Sequence, residues 1–182
     1  QDCMEIFIGK TVRSEAARIQ AHTGKPLTDA WMAAFYKRRN VRLEAELQAI
    51  DGALDAVAAV HARLGGRIAC ASGADRYKVE MQLQKVGLAP YFAGRVFSGH
   101  EMPATKPAPD VYLAAAAALG VPPQRCLVVE DTVTGVTAGV AAGATVVGLC
   151  PSPVGHGSPE ALRAAGAVQV LAHLRELPAL LG

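Results

Sequence analysis

The chain has 182 residues, 51% of them hydrophobic, and a formal net charge of +2. This fits one ordinary domain, or a core with a small accessory unit, and excludes a disordered chain. The charge is too small to argue for nucleic acid, and the one basic run, Lys37-Arg38-Arg39, reads as a solvated helix face.

Residues 1–50 read as helical throughout. Met4-Glu5-Ile6-Phe7-Ile8 looks like the end of a helix closed by Gly9, and the chain opens on Gln1 rather than Met, so preceding residues are expected. Thr11 can cap a helix running through Ile19, which Thr23-Gly24-Lys25-Pro26 ends. Thr28 and Asp29 then open a long helix to about Gln48, with its apolar residues at helical spacing.

From Asp51 the texture changes. Helices are expected over 52–64, 75–86, 110–119, 134–142 and 159–165, with a helical tail from His173. Short apolar strands fall between them at 67–71, 95–98, 125–130, 145–149 and 168–171. These core helices end at glycines, as a left-handed C-cap requires. Strict alternation of helices with short apolar strands predicts an α/β fold, a doubly wound parallel sheet covered on both faces. Residues 1–50 would form a small helical cap domain and residues 51–182 the α/β core.

Cys3, Cys70, Cys126 and Cys150 lie far apart with no CxxC pair, so a local zinc site is not expected. Cys70, Cys126 and Cys150 lie in or beside apolar runs and read as buried reduced thiols, which suits a cytoplasmic protein. The stretch 132–159 lacks Asp, Glu, Lys and Arg but is broken repeatedly by glycine and proline, so no membrane span is expected. No unexplained apolar stripe is visible, and a monomer is the default.

Ligands of open α/β sheets bind at the carboxyl ends of the strands. Three strand ends carry chemistry. Ser72-Gly73-Ala74-Asp75 offers a hydroxyl and unhindered amides beside a helix N-terminus, either an anion site or a simple serine N-cap or turn. Lys106 lies in Ala104-Thr-Lys-Pro-Ala-Pro-Asp110, where prolines stiffen the loop; it is either a fixed cation for a phosphoryl group or an exposed loop lysine. Glu130-Asp131 closes an apolar strand; the pair either binds a cation such as Mg²⁺ or caps the next helix. Gly135, Gly139 and Gly143 recur every four residues and read as close helix-to-sheet packing.

Taken in order, Ser72, Lys106 and Glu130-Asp131 resemble motifs two, three and four of the haloacid dehalogenase superfamily, and Ala104 to Tyr112 resembles its β-phosphoglucomutase and sugar-phosphate phosphatase branch. The resemblance runs along nearly the whole chain and implies a Rossmann-like core. It implies that Ser72 and the Gly73 amide hold the transferring phosphoryl group and that Lys106 bridges it to the nucleophile. Asp131, with Glu130 beside it, would hold Mg²⁺. Gly9, Lys10 and Thr11, with Arg13 nearby, would form the substrate-facing cap loop. Arg39 on the long cap helix is a further substrate candidate, or else a solvated arginine.

The family's first motif, an Asp-x-Asp loop after the first strand, has no match here: Asp2-Cys3-Met4 does not fit, and Asp51 and Asp55 have helical spacing. That strand would lie in mid-sheet, so a gap in the core is expected, and the chain by itself is expected to be inactive. The implied activity is Mg²⁺-dependent hydrolysis of a small phosphorylated metabolite, a sugar phosphate foremost, through an aspartyl-phosphate. The alternatives are a phosphosugar mutase, whose cap-loop arginine is displaced here to the region of Val12 and Arg13, dehalogenase or phosphonate chemistry, and a non-catalytic relic.

Overall fold

The computed structural model describes residues 12–151 and 156–181. The expected helix end at Met4–Gly9 and the cap-loop residues Gly9, Lys10 and Thr11 lie outside the described residues.

Two helices come first, α1 (Ala16–Thr23) and α2 (Asp29–Glu46). α1 starts later and ends later than the sequence suggested. Its C-cap is Gly24 at φ 69°, where the left-handed turn lets the Gly24 amide bond back to Gln20. α2 begins as expected: the Thr28 hydroxyl accepts from the Trp31 amide at 3.2 Å, and Asp29 meets the positive end of the helix dipole. α2 ends without a glycine because Leu47 turns extended.

The core alternates as predicted. In order come α3 (Ala53–Arg63), β1 (Cys70–Ser72), α4 (Arg76–Lys85), β2 (Val96–Ser98), α5 (Asp110–Leu119), β3 (Leu127–Glu130), α6 (Val133–Ala141), β4 (Thr145–Leu149), α7 (Pro159–Ala164) and β5 (Gln169–Leu171), then a 3₁₀ tail at Leu174–Leu181. β1 starts three residues later than expected. Gly65 and Gly66 are both left-handed, and the Arg67 and Ile68 amides are still bonded to Leu64 and Gly66, so the chain is turning where it looked extended. β3 also starts late, because Pro123–Arg125 form a 3₁₀ turn in which the Arg125 amide bonds to Pro122.

Every strand pair is parallel, but the strands form two sheets. One is β1–β2, with Ser72 opposite Ser98; the other is β3–β4–β5, with Glu130 opposite Gly148. Between them lies a cavity of about 590 Å³, lined by β1 and β3 residues such as Ala71 and Val129 and by Val57, Tyr112 and Leu177. Among the described residues no strand bridges β1 and β3. Both faces of the larger sheet are covered: Val146 on β4 packs with Val111, Val136 and Leu162, while its neighbour Val147 packs with Leu171 and Leu177. Among the described residues no helix is long and apolar enough to cross a membrane.

Among the described residues two side-chain hydrogen bonds join α2 to the core. Arg39 Nη2 donates to Asp75 Oδ2 at 3.0 Å, and the Tyr77 hydroxyl donates to Glu44 at 3.1 Å.

Candidate active site

The carboxyl ends of β1 and β3 converge on one lysine. At the tip of β1 the Ser72 hydroxyl accepts from the Ala74 amide at 3.1 Å, which folds Ser72-Gly73-Ala74 into a tight turn. The cap of α4 is instead Asp75, which accepts from the Lys78 amide at 2.9 Å, so Ser72 is not a helix cap. Ser98 at the tip of β2, fully buried, holds the turn from the other side: its hydroxyl donates to the Ala74 carbonyl at 2.7 Å. Gly73 stands open to solvent on this turn.

The loop before α5 delivers Lys106 inward, with its side chain only 10% exposed. Its three ammonium protons have three acceptors: the Ala71 carbonyl at 3.3 Å, the Tyr112 hydroxyl at 2.8 Å and Glu130 Oε1. The exposed-lysine reading is therefore wrong. The Ala71 contact is the longest, and Ala71 is the residue before Ser72 at the tip of β1. Tyr112, in the first turn of α5, donates to the same Glu130 oxygen. Burial first, then the charge of Glu130, pushes the Tyr112 phenol far above its ordinary value, so it stays a donor.

Glu130 is buried and fully engaged. Besides Lys106 and Tyr112, its second oxygen accepts from the Thr132 hydroxyl and the Asp131 amide, both at 3.2 Å. Asp131 faces the other way. Its carboxylate is 40% exposed, and Oδ2 lies 2.6 Å from Nδ1 of His156. Neither carboxylate caps α6; Thr132 does, accepting from the Gly135 amide at 3.1 Å. That removes the helix-cap alternative for the acidic pair.

Gly139 packs as predicted, against Val146 and Val128. Gly135 serves the site instead, since a Cβ there would meet the Glu130 carboxylate at 2.1 Å.

The remaining candidates lie elsewhere. Arg39 binds Asn40 and Asp75 and stacks over Tyr36 at 4.8 Å, so it is neither free nor simply solvated. Arg13 is 70% exposed and pairs with Asp29 at 3.3 Å on the helical segment. Tyr112, Ser98, His156 and the role of Gly135 were not read from the sequence. Only Tyr112 left a signal, in the unusual spacing from Lys106 through Pro107 and Pro109.

Among the described residues no group of three or more His, Cys, Asp or Glu side chains is placed to hold a metal alone. The donor chemistry does fit Mg²⁺, which takes hard oxygens from one or two carboxylates and completes its shell with water and substrate phosphate. Asp131 Oδ1 has no hydrogen-bond partner among the described residues and is the open carboxylate oxygen at these strand tips.

Residues 2–143 match the model of the haloacid dehalogenase-like hydrolase family. The chain is 31% identical to 6-phosphogluconate phosphatase of Escherichia coli over 80% of its own length and 62% of that protein. It is 34% identical to CbbY of Rhodobacter capsulatus over 80% of its length and 66% of that protein. It therefore spans less than two thirds of these two relatives. A conserved haloacid dehalogenase-like protein of Agrobacterium tumefaciens superposes with a TM-score of 0.79 and 32% identity, over 99% of this chain and 81% of that one. Fold, strand-tip geometry and family model agree: the chain belongs to the haloacid dehalogenase-like hydrolases.

Proposed function

We infer that this chain serves a Mg²⁺-dependent phosphomonoester hydrolase acting on a small phosphorylated metabolite, with sugar phosphates the leading class. The observation that carries the reading is Lys106: one buried ammonium is held by Glu130 and Tyr112 and reaches the strand tip that bears Ser72. A cation fixed this way can offset phosphoryl charge without reorganising during the reaction. The similarity to a 6-phosphogluconate phosphatase supports the substrate class.

In this reading Ser72 and the Gly73 amide orient the phosphoryl oxygens. Lys106 gives up its long contact to Ala71 and turns that proton to the phosphoryl group. Asp131, beside Glu130, contributes an oxygen to Mg²⁺, which when bound would neutralise charge on the phosphoryl oxygens. Glu130 sets the direction of the Lys106 ammonium. The helical segment, residues 1–50, acts as a cap over the strand tips, with Arg39 at its junction with the core. The aspartyl-phosphate route needs an attacking aspartate, and the reading places it outside the described residues. The protein is proposed to work as a cytoplasmic monomer.

The test is phosphate release from a panel of phosphosugars by the full-length gene product, with and without Mg²⁺. Mg²⁺-dependent turnover, lost in Asp131→Asn and Lys106→Met, is expected. A folded protein that releases no phosphate from any ester overturns the reading.

A further inference from the structure

The pairing of Asp131 with His156 joins two separate loops, 25 residues apart in the chain. His156 lies on the segment between β4 and α7, and three contacts fix the backbone there. The Cys150 thiol donates to the Gly157 carbonyl at 2.9 Å. The Ser158 hydroxyl caps α7 by accepting from the Ala161 amide at 3.1 Å. Gly157 lies so close to the strand tip that a Cβ would stand 3.4 Å from the Asp131 carbonyl and 3.2 Å from Leu162. The chain is thus held immediately after His156, against the tip that carries Asp131. A half-exposed carboxylate is otherwise free to turn about its last torsion, which is broad and weakly preferred.

We propose that His156 is a positioning residue for Asp131. This rests on the reading of Asp131 as the cation ligand. A carboxylate can only accept, so the proton of this bond sits on Nδ1 whether the ring is neutral or charged. The bond engages Oδ2 and leaves Oδ1 as the oxygen offered to the cation. Partners of this kind orient metal-binding side chains, and losing one typically weakens metal affinity by about 10- to 100-fold.

The test uses Mn²⁺ as a stand-in for Mg²⁺ and counts bound ions by electron paramagnetic resonance on the folded full-length protein, with thermal unfolding as a control. In the unsubstituted protein one Mn²⁺ site is expected, abolished by Asp131→Asn. His156→Ala is expected to weaken that site by about 10-fold or more. His156→Asn, whose side-chain amide nitrogen replaces Nδ1, is expected to restore most of the affinity, and His156→Gln, which reaches past that point, is not. A general packing role would not separate Asn from Gln. Unchanged Mn²⁺ affinity in His156→Ala overturns the inference and leaves the hydrolase reading standing. If the unsubstituted protein has no Asp131-dependent site, the metal reading falls and the inference with it.

Discussion

A methyl group on Gly135 would stand 2.1 Å from the carboxyl carbon and from an oxygen of Glu130. The first turn of α6 therefore passes so close to the tip of β3 that only hydrogen fits between helix and carboxylate. Glu130 cannot swing aside, because Lys106, Tyr112 and Thr132 hold its oxygens. Gly→Ala in a helix interior is ordinarily worth up to about 1 kcal/mol in favour of Ala. Here the overlap decides the sign. Gly135→Ala is expected to cost about 1–3 kcal/mol, as overpacking does, and to displace Lys106 with Glu130, lowering turnover at least tenfold. Gly139→Ala meets Val146 at 2.7 Å and Val128 at 3.3 Å, far from the lysine. It is expected to lose comparable stability while activity per folded molecule is kept. Urea unfolding and phosphate release on both variants check the contrast.

Lys106 and Glu130 are 10% and 8% exposed, so removing one charge strands the other away from water. Lys106→Met is expected to cost about 3–5 kcal/mol on that ground. The double variant Lys106→Met/Glu130→Gln should recover much of it, because no bare charge remains. Tyr112→Phe removes one donor to Glu130 and one acceptor for Lys106 and is expected to cost about 1–3 kcal/mol. A double-mutant cycle by denaturant unfolding measures the coupling. Additive single losses would show that the pair does not act as a unit.

How much of this was legible in the sequence differs from residue to residue. α5 and β4 were read to the residue, because Pro109, Gly120 and Gly143 punctuate the chain at their borders. The early start assigned to β1 failed because Ile68 and Ala69 extend the apolar run backwards from Cys70 while the Arg67 and Ile68 amides close turns on Leu64 and Gly66. Ser72, Lys106, Glu130 and Asp131 were singled out because strand ends are where such sheets bind ligands, and position along a strand is visible in one dimension. What each touches was not visible. Glu130 and Asp131 are neighbours in sequence yet face Lys106 and His156 respectively. Tyr112 lies 18 residues from Glu130 and His156 lies 25 from Asp131, distances that periodicity cannot pair. Gly135 looked like packing because a glycine carries no sign of what approaches it.

The junction of α2 with the core gives a pH-dependent prediction. Burial would raise the Asp75 carboxyl, but the Lys78 amide and the Arg39 guanidinium outweigh it and hold the group below its ordinary value. A carboxyl depressed in the folded state adds stability above its unfolded value, near pH 3.9, and loses it as pH falls through the folded value. The groups facing Asp75 are Arg39 and Lys78, both cationic across this range, so its own titration sets the change. Asp75→Asn separates charge from capping, because asparagine caps a helix as well as aspartate does. The variant is expected to be less stable than the unsubstituted protein at pH 7. The difference should shrink from about pH 4 downward as Asp75 in the unsubstituted protein takes up its proton. Urea unfolding at pH 7, 4 and 3 measures this, and a difference that stays constant across the three would sink the assignment of Asp75 as the charge that ties α2 to α4.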